Sequence, residues 1–516
     1  MTDAFTPEWD DASLADLHWE WNEQVCPRPL RPLAGDFLRS TSDSVNCFYE
    51  RAGVPFRMEC RIVHGYAYTA QRLLVAESEL PDVLARMKEL VRSPEPSGEA
   101  APGPPEERPL DPRQASSFAE LWDRSWRQVR RGANESAANL GFKGPLEDLV
   151  AMYKTLWPQA SAAEAMTLVQ GRPSRLHDVQ RDLHRLAQRA RAAPPVAALI
   201  VCDPESALAE LEQVEGGPQF LEALREFLGA HGHLGAAFCD LAEPTWVEDP
   251  ARVLHEIQGR VLDDGDDPEL RRRRLESEAE EAAGRARAAL QQRPEALRRF
   301  EELLASAREA APRLEAQHAA LEHGGLRMRR LALEAGRRLV DAGALDEAAD
   351  VFHLHTDEVG RALRDLRDLR ALVASRRTDH GRWAALRPPR YIGRDAAALA
   401  AGDDRAGSSP SGVLRGMGAG GGRARGPARI VVSEADFPRV QRGDILVCPT
   451  TSPSWVPLFD GVAGLVTNTG GLLSHGAILA REFGVAAVVG AREATQRLRD
   501  GQWVEVDGAA GFVRVL

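Results

Sequence analysis

Residues 469–484 read Thr-Gly-Gly-Leu-Leu-Ser-His-Gly-Ala-Ile-Leu-Ala-Arg-Glu-Phe-Gly, and no other stretch constrains the fold of this chain so tightly. An apolar run at 463–466 leads into a pair of glycines, and apolar residues at helical spacing follow. The pattern predicts a strand, a tight turn and an amphipathic helix over about 475–483, with His475 at the start of that helix. Backbone N–H groups there lack intrahelical acceptors and sit at the positive end of the helix dipole, which favours a bound phosphoryl group. The same field disfavours imidazolium and keeps the ring neutral and nucleophilic.

The surrounding texture predicts a small β/α unit. From about residue 413, β-branched or apolar runs at 428–433, 444–448, 463–467, 486–490, 503–506 and 512–516 are separated by Gly, Asp and Asn turns. Upstream the pattern is mainly helical. Segments 118–130, 145–156, 176–192, 218–231, 268–292 and 293–310 carry apolar residues three and four apart, and a further long helix is expected over about 312–342. Residues 65–68 and 197–202 read as short strands. Two stretches break the pattern: 93–112, rich in Pro, Gly and Glu, reads as a flexible insertion, and 395–412 as a flexible linker. The expected organisation is therefore a mainly helical domain over 1–394, a linker over 395–412 and a β/α domain over 413–516.

At 516 residues the chain suggests two or three domains. It has no apolar run near twenty residues, and its first residues lack the basic start and apolar core of a signal peptide, so a cytoplasmic protein is expected. Six cysteines with no CxxC pair argue against structural zinc and a disulfide framework. A net charge of −12 argues against non-specific binding to nucleic acid or anionic membranes, while leaving room for a local basic pocket.

The 469–484 stretch resembles the phosphohistidine motif of the phosphoenolpyruvate-utilising enzymes, a family with a mobile, swivelling histidine domain. Gly470, Gly471, Ser474, His475, Gly476, Ala477, Ile478, Ala480 and Arg481 match the motif; Leu473 stands where the dikinases carry Thr. Residues 416–431 and 443–458 are similar to the glycine-rich entry and to a Thr-x-Pro-x-Trp loop of the same domain. Upstream, 168–173, 220–235, 240–250 and 347–358 resemble the substrate-binding domain of the rifampin phosphotransferase branch, in the family's order. Leu234 stands where that branch commonly has Arg. No stretch resembles an ATP-grasp nucleotide-binding domain, so ATP and Mg2+ are expected on a separate partner subunit.

The resemblance implies that His475 carries the phosphoryl group between a donor and an acceptor, through two in-line displacements. Thr469, Gly470, Gly471 and Ser474 are then expected to bind the phosphoryl oxygens through backbone donors. For Ser474, a helix N-cap is the equal alternative. Arg481 lies about 240° around the helix from His475, and a structural ion pair is its expected role. Arg327 and Arg329 fall near basic residues that the family turns toward its substrate; a solvated helix face is the plain alternative. His233, with His231 beside it, is a candidate base, and no third ligand near the pair suggests a metal. Trp9, Trp19 and Trp21 could line an acceptor pocket, with core packing the more economical role. A flexible linker of about 20 residues spans roughly 25 Å, enough for a swivel.

Three functions follow. The first is a phosphotransferase component passing phosphate from His475 to a hydroxyl of a small organic acceptor, charged by an ATP-grasp partner. The second is a phosphorylation-dependent dehydratase or lyase in a biosynthetic pathway. The third is a non-catalytic ligand-binding homologue, for which His475 is dispensable.

Overall fold

The structure, a computed structural model, describes residues 5, 7, 9, 11–51, 53–80, 82, 117–137, 143–235, 240–262, 267–400 and 412–516. The expected insertion at 93–112 lies outside them, as does 401–411 of the expected linker; of the rest of that linker, 396–400 is helical. The chain forms two compact units, Met1–Gly141 with Ala237–Glu243 and Ala320–Ala406, and Phe142–Ala236 with Pro244–Ala319 and Gly407–Leu516. About half of the helical region, expected as one domain over 1–394, thus groups with the C-terminal β/α part.

The first unit holds an antiparallel sheet of order β2-β3-β1-β4, with β1 Trp19–Trp21, β2 Phe56–Val63, β3 Tyr66–Leu73 and β4 Tyr391–Ile392. Most of it was not expected. Strands β2 and β3 join through His64-Gly65, both at positive φ, the conformation that matches the strands' own twist. A side chain on Gly65 would also strike Pro29. Trp19 is buried with Tyr66, Tyr68 and Ile392, and Trp9 and Trp21 pack against them, so the tryptophans serve the core. A second core in this unit gathers Trp122, Trp126, Met328, Ala332, Leu339 and Phe352.

In the second unit, helices such as Arg175–Ala192, Gly217–His231 and Ala251–Leu262 bury a shared cluster around Leu183, Ile200, Phe220 and Trp246. Residues 197–202, expected as a strand, end the helix Pro194–Cys202 instead. A short apolar run is ambiguous by periodicity, and Pro194-Pro195 supplies the preset φ of a helical first turn. Likewise Pro312 does not start a new helix. It lies inside the single helix Pro294–Asp341, whose Glu-, Ala-, Leu- and Arg-rich flanks offset one lost hydrogen bond.

The C-terminal part is an eight-stranded sheet of order β5-β12-β11-β7-β8-β9-β10-β6, from β5 Val413–Arg415 and β6 Met417–Gly420 through β7 Arg423–Ile430 to β12 Phe512–Val515. Its centre is parallel: β7, β8 Ile445–Cys448, β9 Gly464–Thr467 and β10 Ala486–Val489. Every residue of β8, β9 and β10 is buried, which is why these strands read as unbroken apolar runs. Two parallel neighbours need a crossover, and the helix His475–Phe483 supplies it between β9 and β10. That crossover puts His475 beyond the carboxyl end of a parallel strand, where α/β sheets place their ligands.

Candidate functional site

The segment between β9 and the helix is tied down almost residue by residue. Asn468 donates its amide to the Cys448 carbonyl, and its side chain exchanges two hydrogen bonds with Thr495, at 2.9 and 3.0 Å. Thr469 turns both its amide and its hydroxyl to the Pro449 carbonyl, each at 3.1 Å. Gly470 takes φ +109°, and a side chain there would come within 2.7 Å of Ser474 Oγ. Arg481 reaches back to donate to the Leu472 carbonyl at 2.7 Å and is buried.

At the end of this turn His475 is partly exposed. Its Nδ1 lies 3.4 Å from Thr451 Oγ1 in the loop that follows β8. Gly476 makes the approach possible, since a Cβ there would sit 3.0 Å from Thr451 Oγ1 and 3.3 Å from Leu465. Thr451 is the residue that reading the sequence missed. Its loop was recognisable as Thr-x-Pro-x-Trp, yet nothing in the order of residues put that threonine against the imidazole.

Two of the expected phosphoryl-binding residues have amides bonded within the fold. The Thr469 amide is committed to Pro449 and the Ser474 amide to the Gly471 carbonyl. Ser474 occupies the N-cap position but makes no side-chain cap bond; its Oγ donates to Gly471 at 2.8 Å. It is thus the N-cap residue by position, while its hydroxyl closes the glycine turn. The donors left by helix geometry are the amides of Gly476 and Ala477, in the first turn, which have no intrahelical acceptor. Arg481 meets a carbonyl through its Nη1, the contact that joins the helix to the turn.

The other candidates fall into two groups. His231 and His233 lie in the second unit with His475. Arg175 Nη2 is 3.0 Å from His233 Nε2, and because guanidinium only donates, that nitrogen accepts and the ring proton sits on Nδ1. His231 Nε2 pairs with Asp182 at 3.0 Å and its ring packs on Phe227, while Nδ1 has no hydrogen-bond partner. Both rings are buried. Arg327 and Arg329 belong to the first unit. The Arg329 guanidinium is buried, donates to the Leu241 carbonyl at 2.9 Å and lies 5.3 Å from the Phe352 ring centre. Those contacts give it a packing role; Arg327 is half-buried.

Among the described residues no cluster of three His, Cys, Asp or Glu side chains could hold a metal ion, and no helix is long and apolar enough to cross a membrane.

Comparison with known proteins gives two family matches. Residues 440–511 match the mobile domain of PEP-utilising enzymes, and residues 145–315 match the rifampicin phosphotransferase fourth domain. A rifampicin phosphotransferase of Streptomyces sp is 34% identical over 65% of this chain and 39% of its own length. That of Bacillus subtilis is 28% identical over 60% of the chain and 36% of its own length. Chondramide synthase cmdD of Chondromyces crocatus is 29% identical over 99% of the chain, which covers 14% of that protein. The chain thus spans well under half the length of each of these three relatives. The resemblance read from the His475 motif and from the upstream segments at 168–173, 220–235 and 240–250 is borne out by these two family matches.

Proposed function

We propose that this chain, which joins a mobile domain of the PEP-utilising enzymes to a rifampicin phosphotransferase fourth domain, passes a phosphoryl group through His475 to a hydroxyl of a small organic acceptor. The observation that carries the reading is the position of the ring. It is partly exposed at a helix start beyond the end of a parallel strand, on a turn whose bonds hold it in place.

In this reading the ring carries its proton on Nδ1, which lies 3.4 Å from Thr451 Oγ1. With Nδ1–H directed at Thr451 Oγ1, the lone pair lies on Nε2. In the first step Nε2 attacks phosphorus of the donor, the bond to the leaving oxygen breaks, and a phosphoramidate forms. The amides of Gly476 and Ala477, with the helix dipole, face the equatorial oxygens. In the second step the acceptor oxygen attacks phosphorus, the N–P bond breaks with its electron pair returning to Nε2, and the hydroxyl proton passes to a base of the acceptor site. The donor is ATP, with Mg2+, on an ATP-grasp partner.

A second reading has support of its own. The relative that aligns with nearly the whole chain is named for a synthesis, chondramide synthase. That favours a biosynthetic use, in which phosphorylation of a hydroxyl makes a leaving group and elimination follows.

The test is direct. The chain, an ATP-grasp nucleotide-binding protein, Mg2+ and ATP labelled at the β or γ phosphate should together yield acid-labile label on this chain. Equal labelling of wild type and His475→Ala would sink the shuttle. With label established, free phosphate plus an unsaturated product marks the elimination, and a stable phosphate ester marks the transferase.

A further inference from the structure

Four strands of the C-terminal sheet bury one side and expose the other. In β5, β12, β7 and β11 Trp503–Asp507, the side chains of Leu414, Val504, Val506 and Val513 enter a core cluster with Val447, Val466 and Val488 of β8, β9 and β10. The helix His475–Phe483 packs on the opposite side of those three strands, in a cluster with Leu446, Leu465 and Ala487. The outward side of β5, β12, β11 and β7 therefore lies away from His475, with β8, β9 and β10 between.

Strand register sets out that outward side as a grid. Arg415, Phe512, Asp507 and Arg423 form one row, and Arg514, Glu505 and Arg425 the next. Trp503 and Pro427 form the third, with Leu516 beside Trp503, bonded through its amide to the Trp503 carbonyl at 3.0 Å. Rows two residues apart along a strand are separated by about 7 Å.

The chemistry of the grid is one-sided. Its two carboxylates are buried, Glu505 under Arg425 at 2.8 Å and Asp507 under Arg423 at 2.6 Å, while these arginines are 67% and 68% exposed. Arg415 and Arg514 are exposed too, and among the described residues neither meets a carboxylate; Arg514 lies 5.3 Å from the Phe512 ring centre. Solvent thus meets guanidinium from three of the four strands, in a chain whose net charge is −12. Of the ten tryptophans Trp503 alone is exposed, at 58%, and Leu516 beside it is 57% exposed. A solvated face scatters single apolar groups among mixed charges. An aromatic next to an aliphatic side chain, bordered by arginine with the acids withdrawn, has the composition of an interface.

We propose that this outward face docks an acidic, extended segment of a partner protein. An apolar side chain of that segment sits on Trp503 and Pro427, and carboxylates two and four residues away meet the arginines of the next two rows. An extended chain repeats its side chains on one side every ~7 Å, which is the spacing of the rows. Forked guanidinium groups match carboxylates in geometry as well as in charge. The chain's overall negative charge repels a long polyanion or an anionic bilayer, whereas a short acidic segment meets only the local field. The docking face goes beyond the shuttle reading and does not depend on it, because a partner held there leaves the His475 ring uncovered.

Fluorescence anisotropy on the full chain tests this, with a labelled Leu-Ser-Glu-Ser-Glu peptide as the probe. Wild type should bind it below millimolar concentration at low salt. Trp503→Ser and Arg514→Glu should each weaken binding about tenfold with far-UV circular dichroism unchanged. Arg415→Glu, on the edge strand, serves in place of Arg514→Glu if that variant does not fold. Exchanging the peptide's Leu for Ser should weaken binding to wild type but not to Trp503→Ser. No binding to wild type at millimolar peptide, or equal affinity of wild type and Trp503→Ser, overturns the proposal. So does tighter, Trp503-dependent binding of a short DNA duplex or of phosphatidylglycerol vesicles. His475→Ala should bind the peptide as wild type does, and Trp503→Ser should take up phosphoryl label at the wild-type rate. If label is absent while Trp503-dependent binding persists, the shuttle fails and the docking face stands; label without peptide binding gives the reverse.

Discussion

Thr451 Oγ1 stands 3.4 Å from His475 Nδ1, across a gap that stays open because residue 476 has no side chain. The two residues come from different strand ends, Thr451 from the loop after β8 and His475 from the crossover after β9. Their contact engages Nδ1 of the ring.

Replacing Thr451 by Val keeps the shape and removes the hydroxyl. A hydrogen bond of this kind contributes about 1 kcal/mol, so the rate of label uptake on His475 should fall about fivefold to tenfold. Stability to urea should change little. A variant that labels at the wild-type rate would mean that Thr451 does not orient the ring.

The two glycines before the helix should respond differently. Gly470 has φ +109° and a Cβ there would crowd Ser474, so Gly470→Ala should cost about 1–3 kcal/mol and slow labelling. Gly471 has open space where a Cβ would stand and no positive φ, so Gly471→Ala should stay within about 0.5 kcal/mol of wild type. Urea midpoints with constant slope measure the difference. Equal costs at the two positions would contradict the described turn.

The first unit should carry a pH-dependent element at His353, a 7% exposed ring. Burial, then the charges of Arg31, His380 and Arg377, bring its pKa down to about 4. The unfolded ring titrates near 6.5, so between those values the unfolded chain binds the extra proton. The stability from the neutral buried ring is therefore complete above about pH 6.5 and is lost as pH falls toward about 4. From pH 7 to about 4.5 the loss assignable to His353 should be on the order of 2 kcal/mol. It is measured as the difference in pH dependence between wild type and His353→Phe by urea unfolding. Parallel curves for the two proteins would show that the ring is not held neutral by the fold.

Much of the sheet around His475 was readable before any coordinates. Strands β8, β9 and β10 are unbroken apolar runs between Gly, Asp and Asn turns, and the helix His475–Phe483 lies where its spacing predicts. Local rules suffice there, because a buried parallel strand and a capped amphipathic helix each leave a signature within a dozen residues. The helices Arg175–Ala192 and Gly217–His231 were legible for the same reason.

The failures share the opposite cause. β1, β2 and β4 are stretches whose pairing partners lie far off in sequence: Trp19 faces Ile392, and Glu20 lies between Tyr391 and Thr69. The run at 197–202 is apolar on every side, so periodicity cannot tell strand from helix, and the two prolines before it decide. At 327–330 the order of residues left a ligand face and a solvated face both open, and nothing in it pointed to the contacts of Arg329 with Leu241 and Phe352.

By itself the order of residues determined that a histidine begins a helix behind a glycine turn, because strand, turn and helix are set by neighbours in the chain. Only the tertiary structure decided what surrounds it. Thr451 meets the imidazole, Arg481 turns back to Leu472, and Asp460 is shared by Arg260 and Arg271. Hydrogen bonds and ion pairs act over a few ångströms of space, whatever the distance along the chain, so partners 9 to about 200 residues apart meet without a signature in the order of residues.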